Sequence, residues 1–382
     1  MGKRELLLAV AFVVVGLVVY QFTAPPPDPN ARGFSLGRIV EGVRREVRGR
    51  PESAEVTQTF TRAASEGLKE IRIDMEIGAI EITGENRDEI QVEFHVRSNG
   101  YDTAEAEKLA RESTVKFDEA AGVLIIATGF PEAGQQRGTL RLKVPSRLGV
   151  RMDSKNGELT ITNVALVTMG ISRAATTITQ VAGAVSLTQR GSTATITDVG
   201  SLKLRSAAGA KVRVGQVRGD VTLSTESGEF RGEGFAGGLE VDSRTTDLEF
   251  DKLDGVKGPI RVTANLGKVT FTGLKTDARI DGRETEIRVT MAAPAPLAIY
   301  NEGDEPIELT VPPGGFTLDA LSVNGKVTLD PALEQAGLRV IAPPESATEE
   351  SRRETRATGS ANGGGPTITL RAKPGDIAVR SK

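Results

Sequence analysis

One short signature returns along most of this chain and limits what the chain can fold into. Ser154-Lys-Asn-Gly157-Glu-Leu159-Thr-Ile161 has the form of Ala264-Asn-Leu-Gly267-Lys-Val269-Thr-Phe271 and of Ser322-Val-Asn-Gly325-Lys-Val327-Thr-Leu329. Met75-Glu-Ile-Gly78-Ala-Ile80-Glu-Ile82 and Ala372-Lys-Pro-Gly375-Asp-Ile377-Ala-Val379 repeat it early and late. Each copy is a strand end, a turn closing at glycine, then two apolar residues separated by one. Looser copies fall at Gly191, Gly209, Gly228 and Gly303, and Ala175, Thr246 and Thr285 stand at the glycine place in three more. From 157 to 267 the marked positions are 18, 16, 18, 19, 18 and 21 residues apart. A propeller blade needs about 40 residues, so that architecture fits poorly. An Ig-like sandwich array is the structural rival, and the short period and in-register glycines count against it.

One such unit cannot bury its own apolar face, whereas units stacked about 4.8 Å apart make a continuous core. Alternation within each unit predicts that Leu204, Val214, Leu223, Val241, Phe250, Val262 and Phe271 face inward. Lys203, Arg213, Thr222 and Glu240 then face water. Residues 146–341 are expected to form these solenoid repeats. Glycine serves the turns because it alone takes left-handed dihedrals without strain. Thr246 and Thr285 cannot do so cheaply, so those turns must differ, with Asp247 taking the unusual conformation in one of them.

The segments before the repeats have other periods. Residues 1–5 carry Lys3 and Arg4, and residues 6–22 (LLLAVAFVVVGLVVYQF) are uncharged. At about 1.5 Å per residue this run nearly spans a hydrocarbon core of about 30 Å. The expectation is an uncleaved transmembrane anchor, since Phe22-Thr23-Ala24 before Pro25 lacks the small residues of a signal-peptide site. The basic residues ahead of the span favour a cytoplasmic N-terminus and an extracytoplasmic body. Residues 23–55 read as a linker that opens on Pro25, Pro26, Pro27 and Pro29. Beyond those prolines it is either a basic amphipathic helix, with Leu36, Ile39, Val40, Val43 and Val47 on one face, or a spacer weakened as a helix by Gly37 and Gly42. Residues 56–145 alternate as strands, with one helix over 102–113 that buries Ala106, Leu109 and Ala110. Residues 342–366 have the composition of a disordered insertion, dispensable because 345–364 hold no apolar side chain larger than alanine. Residues 367–382 read as the terminal repeat that covers the open end of the core.

Composition removes several chemistries. A formal net charge of −3 gives no basic field for nucleic acid. With no cysteine there is no disulfide, thiolate metal site or thiol nucleophile, and His95 is the only histidine. Tryptophan is absent and aromatics are 4%, so platforms for sugar rings are scarce. Gly232-Glu-Gly234-Phe-Ala-Gly237 matches a dinucleotide fingerprint in letters, but a strand pattern follows where a helix must open. Glu226, Glu229 and Glu233 cluster as solvated turn residues rather than a calcium site. Asp242, Asp247, Asp251 and Asp254 lack the aromatic platform of a glycosidase pair. His95 alternates outward from Val92, Phe94 and Val96 as a strand-surface residue. No catalytic, cofactor-binding or metal-ligating residue is assigned, and the charges are read as spread evenly over the repeats.

The run IRIDMEIGAIEITGENRDEIQVEF, the run LRLKVPSRLGVRMDSKNGELTITNV and the repeated serine-x-x-glycine turns resemble the bacterial DUF4097 family, also described as putative adhesins. The closing GGGPTITLRAKPGDIAVRSK is similar to that family's last repeat. The resemblance covers roughly residues 60 to 382 and marks fold rather than activity. It implies an all-β, right-handed parallel β-helix body in a cell envelope. The expected function is a non-catalytic, membrane-anchored scaffold or adhesin-like module that meets an envelope protein or polymer. The alternatives are a polysaccharide-acting β-helix enzyme and an accessory protein in envelope-stress signalling.

Overall fold

The structure is a computed structural model that describes residues 52–75, 77–132, 135–341 and 353–382. Residues 1–5, the expected anchor at 6–22 and most of the linker lie outside the described residues. Among the described residues no helix is long and apolar enough to cross a membrane. The first strand, Glu52–Ala63, begins inside the stretch read as linker, because its alternate residues pair along the whole of Glu89–Gly100.

The fold is all-β, a single hydrogen-bonded sheet of mostly parallel strands. Its pairings resolve into two ladders, each built of strands that follow one another at a near-constant sequence offset. In the first ladder Arg151, Thr168, Ser186, Lys203, Thr222, Glu240, Arg261 and Arg279 stand side by side on successive strands. In the second, Gly157 pairs with Ala174, and Ala210, Gly228, Thr246, Gly267 and Thr285 form one column. Long strands such as Val221–Phe235 give their first half to one ladder and their second half to the other. Each repeat therefore supplies one rung, with a strand in both ladders.

The register corrects three details of the sequence reading. Ala174, not Ala175, opposes Gly157. Ala210, one residue after Gly209, opposes Gly228, since Gly209 holds the left-handed turn position just before it. Asp247 does not take the unusual dihedral; Leu266 and Glu284 do so at the equivalent turns, while Thr246 and Thr285 avoid it as expected. At Gly157, with φ of 137°, a Cβ would overlap the carbonyl oxygen of Gly78 on the adjacent rung, so glycine there permits the close stacking.

The core lies between the two ladders. Leu204, Val214, Leu223, Val241, Phe250, Val262 and Phe271 are all buried, at 3% exposure or less. Lys203, Arg213, Thr222 and Glu240 are exposed. Phe230, Phe250 and Phe271 stack on consecutive rungs with ring centroids 5.3 and 5.0 Å apart. The helix Thr103–Glu112 is capped by Asp102, whose carboxylate accepts from the Glu105 amide at 2.8 Å, and it buries Ala106, Leu109 and Ala110.

Rung order departs from chain order near both ends of the described body. The rung formed by Glu70–Asp74 and Ile77–Glu85 lies between that of Val123–Gly129 and Gln135–Pro145 and that of Gly149–Ser154 and Asn156–Thr162. Likewise Thr367–Lys373 sits between Leu297–Glu302 and Phe316–Val323, and Ile377–Ser381 between Ile307–Val311 and Val327–Leu329. The expected terminal repeat is thus an interior rung, paired on both sides, and does not cover the open end.

Antiparallel strands do the covering. Thr114–Ala120 and Glu89–Gly100 with Glu52–Ala63 close one end. Glu354–Ala361 pairs antiparallel with Phe316–Val323 and with Leu338–Ile341 at the other. That strand falls within the stretch expected to be a disordered insertion. Its inward side chains are Ala357 and Ala361, both fully buried, so alanine suffices where a cover strand lies close to its neighbour. Residues 342–352 lie outside the described residues.

Candidate binding faces

The outward side of each ladder is a set of straight side-chain columns, and the two sides treat charge differently. In the second ladder, four cations meet anions on the adjacent rung, although Arg213 stands beside Arg231. Lys211 reaches Glu229 at 3.2 Å, Arg231 reaches Glu249 at 3.1 Å, Lys268 reaches Glu286 at 3.4 Å and Arg288 reaches Glu308 at 3.3 Å. In the first ladder, Lys203 and Arg205 stand beside Thr222 and Ser224, and Glu240 and Asp242 flank those on the far side. A neutral rung separates the two charge pairs, and none of the four makes an ion pair among the described residues.

Charge is also unevenly distributed along the chain, contrary to the even spread expected. Residues 159–219 hold seven basic residues and one acidic, a formal +6, and residues 220–258 hold ten acidic and four basic, a formal −6. The asymmetry is present in the sequence as a simple tally, and only the ladder registers give it a surface.

A third patch carries no charge. Thr160 and Thr162, Thr177 and Thr179, and Thr195 and Thr197 occupy matching places on three successive rungs of the second ladder. The Thr162 and Thr179 hydroxyls hydrogen-bond at 3.1 Å. The signal that marks this strip is Thr-Ile-Thr at 160–162, 177–179 and 195–197, which the glycine-based repeat template passes over.

The serines of the repeat do not face water. Ser154, Ser206, Ser243 and Ser322 are buried at the bend between ladders, with Gln189, Thr225 and Asn301 in the same inward position on other rungs. Ser322 donates to the Gly375 carbonyl at 2.6 Å, and the Asn301 amide donates to the Thr285 and Glu305 carbonyls at 2.9 Å each. Ser322 and Asn301 thereby tie turns together, while the buried Ser243 hydroxyl has no hydrogen-bond partner among the described residues.

The apparent chemical motifs scatter. Gly232 and Gly234 lie in a strand, and a Cβ at Gly232 would overlap the Phe230 and Phe235 rings, so that glycine makes room in the core. Glu226 falls at the first-ladder bend, Glu229 is paired with Lys211, and Glu233 meets Lys252 at 2.5 Å. Asp242 faces out of the first ladder, Asp247 and Asp251 belong to the second, and Asp254 sits in a short 3-10 turn. They converge on no common groove. His95 lies on the surface of Glu89–Gly100, its Nδ1 3.0 Å from the Thr57 hydroxyl and its Nε2 3.6 Å from Glu55. Among the described residues no group of three or more histidine, aspartate or glutamate side chains could hold a metal ion.

One acidic residue is electrostatically set apart. Burial pushes the Asp319 carboxyl up, but the guanidiniums of Arg371 at 2.5 Å and Arg356 at 2.9 Å outweigh it and hold the carboxyl below its ordinary range. Arg371 belongs to the interior strand Thr367–Lys373 and Arg356 to the cover strand Glu354–Ala361, so one carboxylate clips both to Phe316–Val323.

No family model and no curated protein matches this chain. Among solved structures, it is similar to a putative cell adhesion protein from Clostridium sporogenes at 9% identity and a TM-score of 0.21, covering 87% of this chain and 100% of that one. A putative adhesin from Parabacteroides distasonis gives 13% identity and a TM-score of 0.35 over 66% and 97% of the two chains. A putative adhesin from Parabacteroides merdae gives 10% and 0.30 over 64% and 91%. Likeness of this degree assigns no activity or ligand.

Proposed function

We propose that this chain is a non-enzymatic scaffold or binding module of the cell envelope. In this reading the body is a right-handed β-solenoid of the DUF4097 kind, anchored by residues 6–22 with its bulk on the extracytoplasmic side. The observation that carries the proposal is the layout of the outward columns. Side chains are ranked one per rung along flat ladder faces, which suits contact with an extended partner, whereas catalysis needs several groups aimed at one reacting point. The four acids that a hydrolase reading would use lie on two faces and a turn.

Two measurements test this. Protease added to intact spheroplasts should remove everything beyond about residue 55, with the protein resisting alkaline carbonate extraction; full protection would sink the outside assignment. Purified full-length chain should co-sediment with isolated envelope polymer while releasing no reducing ends. Repeated turnover of the polymer would establish the hydrolase instead.

A further inference from the structure

The exposed face of the first ladder is its own electrostatic complement. Around the rung 221–225, whose outward residues are Thr222 and Ser224, Lys203 and Arg205 lie one rung to one side and Glu240 and Asp242 one rung to the other. Lys203, Thr222 and Glu240 share one column, and Arg205, Ser224 and Asp242 share the next. At about 4.8 Å per rung the opposite charges stand about 9.6 Å apart, too far to pair within one molecule.

We propose that two copies of this chain dock face to face through the first ladder, about a two-fold axis running along 221–225. Such a rotation exchanges the two sides of the axis and preserves position along the strands. Lys203 then meets Glu240 of the second copy and Arg205 meets its Asp242, and the same two contacts recur by symmetry, as an isologous interface requires. The short side chains of Thr222 and Ser224 leave the axis free for close approach.

The match extends outward in both columns. Ser186 and Thr188 fall opposite Arg261 and Thr263, Thr168 and Gly170 opposite Arg279 and Asp281, and Arg151 and Asp153 opposite Ala298 and Tyr300. No like charges are brought together in these columns. Nine rungs of strands about six residues long offer a face of about 38 by 20 Å, close to the roughly 800 Å² per partner of a standard interface. In the second ladder, by contrast, Lys211, Arg231, Lys268 and Arg288 are already paired with acids on the adjacent rung. The inference goes beyond the scaffold reading and does not depend on which envelope component is bound.

The test is a pair of charge-reversed forms of the full-length chain in mild detergent. One carries Lys203→Glu and Arg205→Asp, making the quartet wholly acidic; the other carries Glu240→Lys and Asp242→Arg, making it wholly basic. Sedimentation equilibrium at low salt should show the unaltered chain as a dimer whose dissociation constant rises with salt. Each altered form alone should dissociate at least tenfold more readily, with an unchanged thermal melt. Mixing the two should restore association as a heterodimer, a result that misfolding of either form could not give. Equal self-association by the altered forms would overturn the proposal. So would an unaltered chain that stays monomeric while Lys203 and Arg205 retain dextran sulfate, which would make the occupant an acidic polymer.

Discussion

The two ladders share a backbone, a rung spacing and a core, and differ in where opposite charges fall. In the second, acid follows base on the adjacent rung, as in Lys211 with Glu229 and Arg231 with Glu249. In the first, a threonine and a serine intervene between Lys203 with Arg205 and Glu240 with Asp242. At these positions one rung decides whether a charge is neutralised within the molecule or left open. Pairing across adjacent strands is worth roughly 0.2–1 kcal/mol, so Lys211 and Arg231 add a little stability that Lys203 and Arg205 do not.

Several experiments would break or sharpen that contrast, beginning with the most severe. Truncation after Gly365 removes a rung common to both ladders and leaves unpaired edges on both sides of the gap. The expected outcome is an aggregating product without a cooperative melt, and a soluble, cooperatively melting one would show that the interior rung is not needed. Deletion of 345–364, by the same logic, removes the cover strand Glu354–Ala361 and should also impair folding, whereas deletion of 342–352 leaves every described pairing intact.

Leu204→Asp puts an unpaired charge at a fully buried position beneath the first ladder and should cost at least about 3 kcal/mol by denaturant titration. Val214→Asp beneath the second ladder should cost a similar amount. A loss confined to one of them would mean that the ladders do not share a core.

Acid separates the ladders more gently. Asp319 lies in the first, and its folded-state pKa is lowered from the ordinary 3.8. Its contribution is therefore fully present above the unfolded value and is lost as pH falls through the lower folded value. Asp319→Asn should cost about 1 kcal/mol at neutral pH and flatten the acid limb of the stability profile. An unchanged acid limb would show that the Arg371 and Arg356 clip does not hold the fold.

The smallest effect compares two lysines. Lys203→Glu removes no ion pair within the molecule and should shift the stability of the monomer by less than about 0.5 kcal/mol. Lys211→Glu sets a like charge beside Glu229 and should cost roughly 0.5–1 kcal/mol. Equal losses would contradict the division between a satisfied face and an open one.

Much of this architecture was legible in the residues. Two-residue alternation located the core from Leu204 to Phe271, and Ala106, Leu109 and Ala110 on one side located the helix. Rung order was not legible, because a parallel rung with an apolar inner face pairs equally well with any other, and nothing in Thr367–Lys373 names its neighbours. The cover strand escaped because Ala357, Gly359 and Ala361 give almost no hydrophobic signal, yet a Cβ at Gly359 would crowd Gly337, the mark of two backbones in close approach. The candidate faces were hidden for a different reason. Charge is visible residue by residue, but whether Lys203 lies next to Thr222 or Glu229 depends on register.

The interleaving of the rungs bears on how such a molecule is made and pulled apart. A repeat array laid down in chain order can zip from one end during synthesis and peel from the other under load. Here 316–329 must take its place with a vacancy beside it until 367–381 arrives, so completion waits on a late segment and on contacts of long sequence separation. Once seated, that segment has a neighbour on each side in both ladders. Tension applied beyond Ser381 would have to shear two rows of backbone hydrogen bonds at once instead of unpicking one edge, which makes the inserted rung a mechanical lock.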